Sequence, residues 1–276
     1  MIWLILILFL CAGLFLFLIF PARVSRETLA PFAGRAYAHR GLYAHDQSVP
    51  ENSLPAFRLA VEAGYGSELD VQLTKDGRIV VLHDDDLKRA CGREGSVCDY
   101  TLDELRSFPL FGTEERIPLF SDVLSVYAGR QPLIVELKSA APNVRELCEA
   151  VRLMLADYDG PACVESFHPE VVRYFRLNDP ARLRGQLSQA ACFWKGKIPV
   201  WQGFLFSRLC FNFRARPQFI AYGIGPKPWP VRLCEAFGAM KVCWTAREEK
   251  LHARRMAEND AVIFENYRPG NSGSRQ

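Results

Sequence analysis

The sequence lacks the features that mark several large classes of protein. Its 276 residues include 34 Lys and Arg against 31 Asp and Glu, and a net charge of +3 provides no basic stripe of the kind that duplex DNA binding requires. No G-x-G-x-x-G motif or P-loop marks a nucleotide site at the end of a strand. The apolar fraction of 49% excludes disorder and collagen. We therefore expect a folded domain that does not bind nucleic acid.

The nine cysteines lack a pattern that would indicate disulfides or zinc. No two of them form a CxxC pair, and none has zinc-finger spacing. Buried free cysteines behave as small apolar residues, so their scatter favours a reducing compartment.

A long apolar run is present at the N-terminus. From Ile2 to Phe20 every residue is apolar or glycine, and as a helix this run is roughly 28 Å long, close to a hydrocarbon core. We predict one transmembrane helix and assign residues 1–22 to a membrane anchor. A cleaved signal peptide is the alternative, but no Lys or Arg precedes the run and its exit through Phe20, Pro21 and Ala22 is not a small-x-small site.

The basic residues next to this run predict its orientation. Arg23, Arg26 and Arg35 all follow the predicted helix, whereas only the α-amino group precedes it. The positive-inside rule then places residues 23–276 in the cytoplasm as the main part of a single-pass membrane protein.

After a predicted linker at 23–34, short β-rich runs alternate with helical ones, which indicates an α/β fold. A domain at 35–270 suits one TIM (β/α)8 barrel, followed by a tail at 271–276. A doubly wound open sheet is the alternative. The predicted strands are Arg35 to Ala38, Ser67 to Leu73, Ile79 to His83, Leu133 to Lys138, Cys163 to Phe167, Arg184 to Leu187, Phe219 to Tyr222, Lys241 to Trp244 and Ala261 to Phe264.

One connection is too short for a helix. Asp76 and Gly77 form a hairpin signal, which predicts that the second and third strands are antiparallel. Counting outward from this turn brings His83 opposite approximately Asp70.

Three carboxylates lie where barrel strands end. Glu68 and Asp70 point to the same face of one strand, and Glu136 ends a strongly apolar strand. Acids that converge on one barrel mouth repel each other unless a cation binds between them. Oxygen ligands favour Mg²⁺, Ca²⁺ or Mn²⁺ over zinc. A solvated polar strand face is the alternative interpretation.

Two histidines and two basic residues accompany the acids. His39 and His83 both end strands, where either could act as a general acid or base, and we assign His45, His168 and His252 to structural roles. Arg40 and Lys138 would be costly to bury unpaired, which predicts an anionic substrate. Together with a divalent cation, these groups suit phosphoryl chemistry.

These motifs resemble those of the glycerophosphodiester phosphodiesterase family. The resemblance implies a somewhat irregular TIM barrel and metal-dependent hydrolysis of a glycerophosphodiester to glycerol 3-phosphate and an alcohol. By position it implies metal ligands at Glu68, Asp70 and Glu136, an acid–base pair at His39 and His83, phosphate contacts at Arg40 and Lys138, and a supporting loop at Glu51 and Asn52. The matching segments are Ala38-His39-Arg40-Gly41, Pro50-Glu51-Asn52-Ser53, Glu68-Leu69-Asp70-Val71, Lys75-Asp76-Gly77, Val81-Leu82-His83-Asp84, Ile117-Pro118-Leu119, Glu136-Leu137-Lys138, Ser166-Phe167 and Trp244-Thr245.

The last strand departs from the family pattern. The family usually has Thr-Asp there, whereas this chain has Phe264-Glu265-Asn266, which we interpret as a change in substrate preference. Two alternatives follow: a lysophospholipase D-type hydrolase that acts on membrane lipid phosphodiesters, or an inactive membrane-tethered scaffold. The aromatic segment from Cys192 to Arg214 is interpreted as an amphipathic barrel helix, with a lipid-facing flap as the alternative.

Overall fold

The structure, a computed structural model, describes residues 1–270, so the predicted tail at 271–276 lies outside the described part. Its strands are Arg35–His39 (β1), Gly66–Leu73 (β2), Ile79–Val81 (β3), Leu133–Leu137 (β4), Ala162–Ser166 (β5), Arg184–Ser188 (β6), Phe219–Gly223 (β7), Met240–Ala246 (β8) and Ala261–Phe264 (β9).

Helices alternate with most of these strands. The α-helices are Ile2–Ile19 (α1), Arg26–Leu29 (α2), Leu54–Glu62 (α3), Lys88–Cys91 (α4), Leu102–Arg106 (α5), Phe120–Tyr127 (α6), Val144–Ala156 (α7), Pro169–Asn178 (α8), Val200–Ser207 (α9), Asn212–Ala215 (α10), Trp229–Ala236 (α11) and His252–Glu258 (α12). Short 3₁₀ helices cover Val97–Asp99, Leu110–Gly112, Ala191–Trp194 and Glu249–Leu251.

Eight of the strands in residues 1–270 form a closed parallel barrel. Neighbours pair in the order β1-β2-β4-β5-β6-β7-β8-β9, and β9 pairs back onto β1. The predicted TIM barrel is confirmed, and the open doubly wound sheet is wrong. Parallel strands bring all their carboxyl ends to one face, which is where barrel active sites form.

The ninth strand makes the predicted hairpin. Strand β3 runs antiparallel to β2, with Val71 opposite Val81 and Leu73 opposite Ile79. The expected partner of Asp70 was wrong by one residue, because the Leu82 amide donates to the Asp70 carbonyl at 3.0 Å. Strand β3 also ends at Val81, so His83 lies in the loop beyond it rather than at the predicted strand end.

Two apolar layers stabilise the barrel. Inside it, Tyr37, Ile134 and Phe219 are almost fully buried, and outside it the strands pack against helices through residues such as Phe57 and Phe175. Each fully buried aromatic or branched side chain of this kind contributes about 1.5–3 kcal/mol. The core thus holds the strand ends in fixed positions.

Helix α3, which supports the first loop of the site, begins with a capped N-terminus. The Ser53 hydroxyl accepts from the Ala56 amide, and Pro55 occupies the first turn, where a missing N–H costs nothing. Helix α3 then buries Phe57 and Val61 against the barrel.

Helix α1 packs against the barrel domain at its C-terminal end only. Residues 2–14 are exposed, whereas Ile19 is fully buried and its carbonyl accepts from the Asn212 side chain at 3.0 Å. Phe15 stacks on Trp229 at 5.0 Å between ring centroids, and Phe20 stacks on Phe237 at 4.7 Å. By length and composition, α1 could cross a membrane: its mean hydropathy is 3.1 over 18 residues.

The structure describes all nine cysteines and the aromatic segment. All nine cysteines are free thiols. The segment from Cys192 to Arg214 contains α9 and most of α10, and Val200, Trp201 and Phe204 on α9 are exposed.

Candidate active site

Three acidic side chains meet at the carboxyl ends of two neighbouring strands. Glu68 and Asp70 project from β2, and Glu136 projects from β4, where the strand register sets Asp70 beside Glu136. One oxygen of each residue lies within 4.8 Å of the others, and all three residues are buried. The predicted convergence on one barrel mouth is therefore present in the structure.

Burial and nearby charges shift the pKa values of the three acids in different directions. Burial raises the pKa of Glu68, and the neighbouring Asp70 and Glu136 charges raise it further. Burial also raises the pKa of Glu136, against the attraction of Lys138. For Asp70, positive charge outweighs burial, and His83, Lys138 and Arg40 hold its pKa below the usual range.

A further buried acid lies beside the cluster. Glu165 on β5 is paired with Glu136 in the sheet, and neither of its carboxylate oxygens accepts a hydrogen bond within residues 1–270. Burial raises its pKa, and the charges of Glu136 and Asp70 add to that effect. Such a surplus of carboxylate oxygens with few donors fits a hard divalent cation, because the cation would replace the missing hydrogen bonds.

His39, near the start of the barrel sequence, is oriented by Glu265, near its end. Its Nδ1 atom lies 2.5 Å from Glu265 Oε2, and its Nε2 atom lies 3.8 Å from Glu68 Oε2. A carboxylate at Nδ1 holds the proton there and leaves Nε2 free toward the acidic cluster. Burial lowers the pKa of His39, and the Arg40 charge lowers it further, so the ring is neutral near pH 7.

Glu265 is itself fixed by several donors. The Tyr43 hydroxyl donates to its Oε2 atom at 3.1 Å, and Arg247 forms an ion pair with Oε1. Burial raises the pKa of Glu265, but the hydrogen bond from His39 and the positive charge of Arg247 lower it to about 2. Glu265 is therefore charged at neutral pH and has a defined orientation.

His83 has a similar arrangement on the other side of the mouth. Its Nδ1 atom lies 2.8 Å from Asp84 Oδ1, and Arg89 binds that carboxylate with Nε at 2.6 Å and Nη2 at 3.0 Å. Arg89 also reaches Glu51 Oε1 at 2.6 Å. Both candidate acid–base histidines thus present Nε2, with Nδ1 held by a carboxylate.

The two predicted phosphate contacts lie against the acids. Lys138 Nζ is 3.0 Å from Glu136 Oε1 and 3.4 Å from Asp70 Oδ1. Arg40 donates from Nη1 to Glu51 at 2.7 Å, while its buried Nε atom has no hydrogen-bond partner within residues 1–270. That Nε atom lies 3.7 Å from Asp70 Oδ2, so Arg40 faces both Glu51 and the acidic cluster.

The loop that carries Arg40 requires a glycine after it. Gly41 has φ of +79°, and a Cβ there would lie 2.9 Å from the carbonyl carbon of Ala56. Asn52, in the adjoining loop, donates from Nδ2 to Asp70 Oδ2 at 2.9 Å, as its predicted supporting role requires.

The structure brings all seven predicted site residues to one mouth and adds four that the sequence analysis missed: Asp84, Arg89, Glu165 and Glu265. Glu265 is the departure from the family pattern, and its carboxylate contacts His39 Nδ1. Asp84 could have been predicted, because it directly follows His83 in the sequence. His168 caps α8, and His252 bonds Tyr267, as their structural assignment predicts.

Phosphoric diester hydrolases are the class of enzyme that this barrel defines, because its mouth combines clustered acids, available cationic donors and two carboxylate-held imidazoles. Comparison with known proteins agrees. The model described as the Glycerophosphoryl diester phosphodiesterase family matches residues 39–267, and the chain belongs to this family.

Individual relatives support the assignment. The chain is 31% identical over 214 residues to a glycerophosphodiester phosphodiesterase of Caldanaerobacter subterraneus, a match that covers 70% of this chain and 84% of the relative. A Bacillus altitudinis glycerophosphodiester phosphodiesterase is 36% identical over 49% of this chain and 58% of its own. An Oleispira antarctica phosphodiesterase, solved with the product sn-glycerol-3-phosphate, superposes with a TM-score of 0.68 at 25% identity, over 84% of this chain and 93% of that one.

Proposed function

We propose that this chain hydrolyses glycerophosphodiesters to glycerol 3-phosphate and an alcohol in a reaction that depends on a divalent cation. The observation that carries the proposal is the buried group of Glu68, Asp70 and Glu136 between two oriented imidazoles. The Oleispira antarctica relative that was solved with sn-glycerol-3-phosphate supports the same product.

Glu68, Asp70 and Glu136 would hold the cation, with Mg²⁺ or Ca²⁺ preferred and Mn²⁺ as a further candidate, because all the donors are carboxylate oxygens. When bound, the cation supplies Lewis-acid neutralisation of the charge on the phosphate oxygens. The positive charge of Lys138 offsets part of the negative charge of Asp70 and Glu136. Its contacts with these two residues fix it at the edge of the site.

His39 and His83 carry the proton transfers. One Nε2 atom accepts the proton of the nucleophile, and the other protonates the alkoxide that leaves phosphorus. The ring that accepts must be neutral with its proton on Nδ1, and the ring that donates must carry a proton on both nitrogens. A carboxylate at Nδ1, Glu265 for His39 and Asp84 for His83, supports both states. Arg40 and Lys138 would bind the phosphate oxygens, because both cations lie beside the acidic cluster at the mouth, where an anionic group can be shared between them.

We further propose that residues 1–22 anchor the enzyme in a membrane as a single span, that 23–34 link the anchor to the barrel, and that 35–270 form the catalytic domain on the cytoplasmic side. The length and composition of α1 support the span. Arg23, Arg26 and Arg35 support the orientation.

The full chain purified in detergent provides the test. Glycerol 3-phosphate release from glycerophosphocholine, glycerophosphoethanolamine, glycerophosphoglycerol and a lysophospholipid is measured after EDTA treatment and after addition of Mg²⁺, Ca²⁺ or Mn²⁺. We expect no release in EDTA and recovery with at least one cation. Full activity in EDTA contradicts the metal site, and no release with any cation favours the inactive scaffold.

A further inference from the structure

Five large apolar side chains are exposed in the segments that follow β6 and β7. They are Phe193, Val200, Trp201, Phe204 and Trp229, with exposed fractions of 55%, 82%, 60%, 49% and 64%. We call these five residues the aromatic rim. An exposed apolar patch that contains two tryptophans marks an interaction surface more often than chance exposure.

The aromatic rim lies at the same end of the barrel as the active site. Trp194 stacks on Phe167, which directly follows β5, at 5.4 Å. The Ser188 hydroxyl at the end of β6 donates to the Phe206 carbonyl at 2.9 Å, which holds α9 over the carboxyl ends of the strands. Trp229 begins α11, which follows the carboxyl end of β7.

Helix α1 runs toward that same end. Its Phe20 stacks on Phe237 just after the end of α11, whereas its Phe15 stacks on Trp229 at the start of α11. Going from Phe20 to Phe15, α1 therefore passes from the amino-end face of the barrel to the carboxyl-end face. Its exposed residues 2–14 continue beyond the barrel on the side where the active site opens.

The length of the exposed part of α1 limits the distance between the barrel domain and a bilayer. Residues 2–14 form a helix of about 20 Å, which is shorter than a hydrocarbon core of about 30 Å. If α1 crosses the membrane, its docked residues must reach the membrane boundary. Trp229, which packs on Phe15, must then lie there as well.

The charge of the surrounding segment suits an anionic surface. The stretch from Pro180 to Cys234 has no Asp or Glu, but Arg184 is buried there and Arg182, Arg214 and Lys227 form ion pairs with acids outside it. The positive charge beside the rim comes from Lys195, Lys197 and Arg208. Lys195 and Lys197 are exposed within the turn that precedes α9, and the Arg208 guanidinium stacks on Phe204 at 3.6 Å. Tryptophan and basic side chains together are the composition of a membrane–water boundary.

We propose that the aromatic rim enters the headgroup region of the bilayer that α1 crosses, so that the active-site mouth faces an anionic leaflet. The proposal rests on the membrane anchoring proposed above. It identifies the partner of this surface as anionic lipid, and it gives a diester in the leaflet a shorter route to the mouth than one in solution.

Tryptophan fluorescence tests the position of the rim without requiring turnover. The full chain is placed in nanodiscs of phosphatidylcholine and phosphatidylglycerol whose acyl chains carry bromine, which quenches nearby indoles. We expect Trp201→Phe to decrease the quenched fraction of the emission, because it removes an indole in contact with lipid. Trp244→Phe should increase that fraction, because its indole donates to Ala221 inside the barrel. An increase with both variants overturns the proposal.

Kinetics provide an independent test. We expect Trp201→Gln combined with Phe204→Gln to raise KM for a lysophospholipid in proteoliposomes about tenfold, since two exposed apolar side chains lose their lipid contacts. The KM for glycerophosphocholine should stay the same. The matched control is Leu153→Gln combined with Leu177→Gln, which removes two exposed apolar side chains from α7 and α8.

Two results distinguish the alternatives. Equal KM values for the lysophospholipid in the rim variant, the control and the wild type overturn the proposal, as does a cross-linked dimer through the rim that shows no quenching. Failure of the wild type to hydrolyse glycerophosphocholine contradicts the proposed activity, while the quenching result still decides where the rim lies.

Discussion

His39 Nδ1 and Glu265 Oε2 lie 2.5 Å apart although 226 positions separate the two residues in sequence. Strand β1 ends at His39, and Glu265 follows β9, so the pairing of these strands brings the two side chains together. The register of the barrel seam thereby determines the orientation of a candidate catalytic ring.

We expect Glu265→Gln to lower kcat by about 10² with little change in KM, because the amide no longer holds the Nδ1 proton in place. Glu265→Asp keeps the carboxylate and should recover much of kcat. Steady-state kinetics on glycerophosphocholine separate the two parameters. A purely structural role would give the same loss in both variants.

We expect Glu68→Gln, Asp70→Asn and Glu136→Gln each to reproduce the effect of EDTA, because one lost charge weakens a site made of three carboxylates. Isothermal titration with Mg²⁺, Ca²⁺ and Mn²⁺ measures the loss of binding directly. Asp103→Asn, an exposed acid on α5, serves as the control. Unchanged metal affinity in the three variants would remove them as ligands.

His39→Ala and His83→Ala should each lower kcat by about 10² or more, the usual contribution of a positioned acid or base. His168→Ala and His252→Ala should retain most of it, since these rings cap α8 and bond Tyr267. The thermal midpoint of each variant is measured alongside kcat. Similar kcat losses in all four would indicate damage to the fold.

The proposed orientation predicts that protease added to intact spheroplasts leaves the barrel uncut and that permeabilisation exposes it, since Arg23, Arg26 and Arg35 hold the cytoplasmic side. Immunoblotting against the barrel follows both conditions. Cleavage before permeabilisation would reverse the orientation.

Ile19→Ala should lower the free energy of unfolding of the full chain by about 2–4 kcal/mol, since it removes a fully buried side chain between α1 and the barrel. Ile7→Ala, in the exposed part of the same helix, should change it little. Thermal unfolding in detergent, followed by circular dichroism, compares the two. Equal midpoints would mean that α1 does not pack on the domain in solution.

The sequence predicts most of the barrel because buried parallel strands are short, continuous apolar runs. All nine predicted strands exist, and Ala261–Phe264 has the predicted bounds. The apolar run in the sequence continues through Leu82, which is why a longer strand was predicted. Strand β3 ends at Val81 because Leu82 packs in a separate cluster with Leu87 and Leu105 instead of pairing with β2.

The acidic cluster was predictable from strand alternation, whereas its supporting contacts were not. Glu68 and Asp70 share a face by periodicity alone. The hydrogen bond from His39 to Glu265 depends on barrel closure, and the ion pair between Arg89 and Glu51 joins α4 to a loop 38 positions earlier in the sequence. Local pattern contains no information about such long-range contacts. The docking of α1 on α10 and α11 was missed for the same reason.

Because the first barrel strand pairs with the last, the barrel can close only after the last strand has been synthesised. The ribosome releases α1 first and β9 last, so β1 lacks one of its two neighbours until the end of synthesis. Until Glu265 has emerged, His39 has no carboxylate at Nδ1. If α1 enters the membrane as proposed, the nascent chain would be tethered there before the proposed acid–base pair is assembled, and hydrolysis would begin only when translation of the barrel is complete.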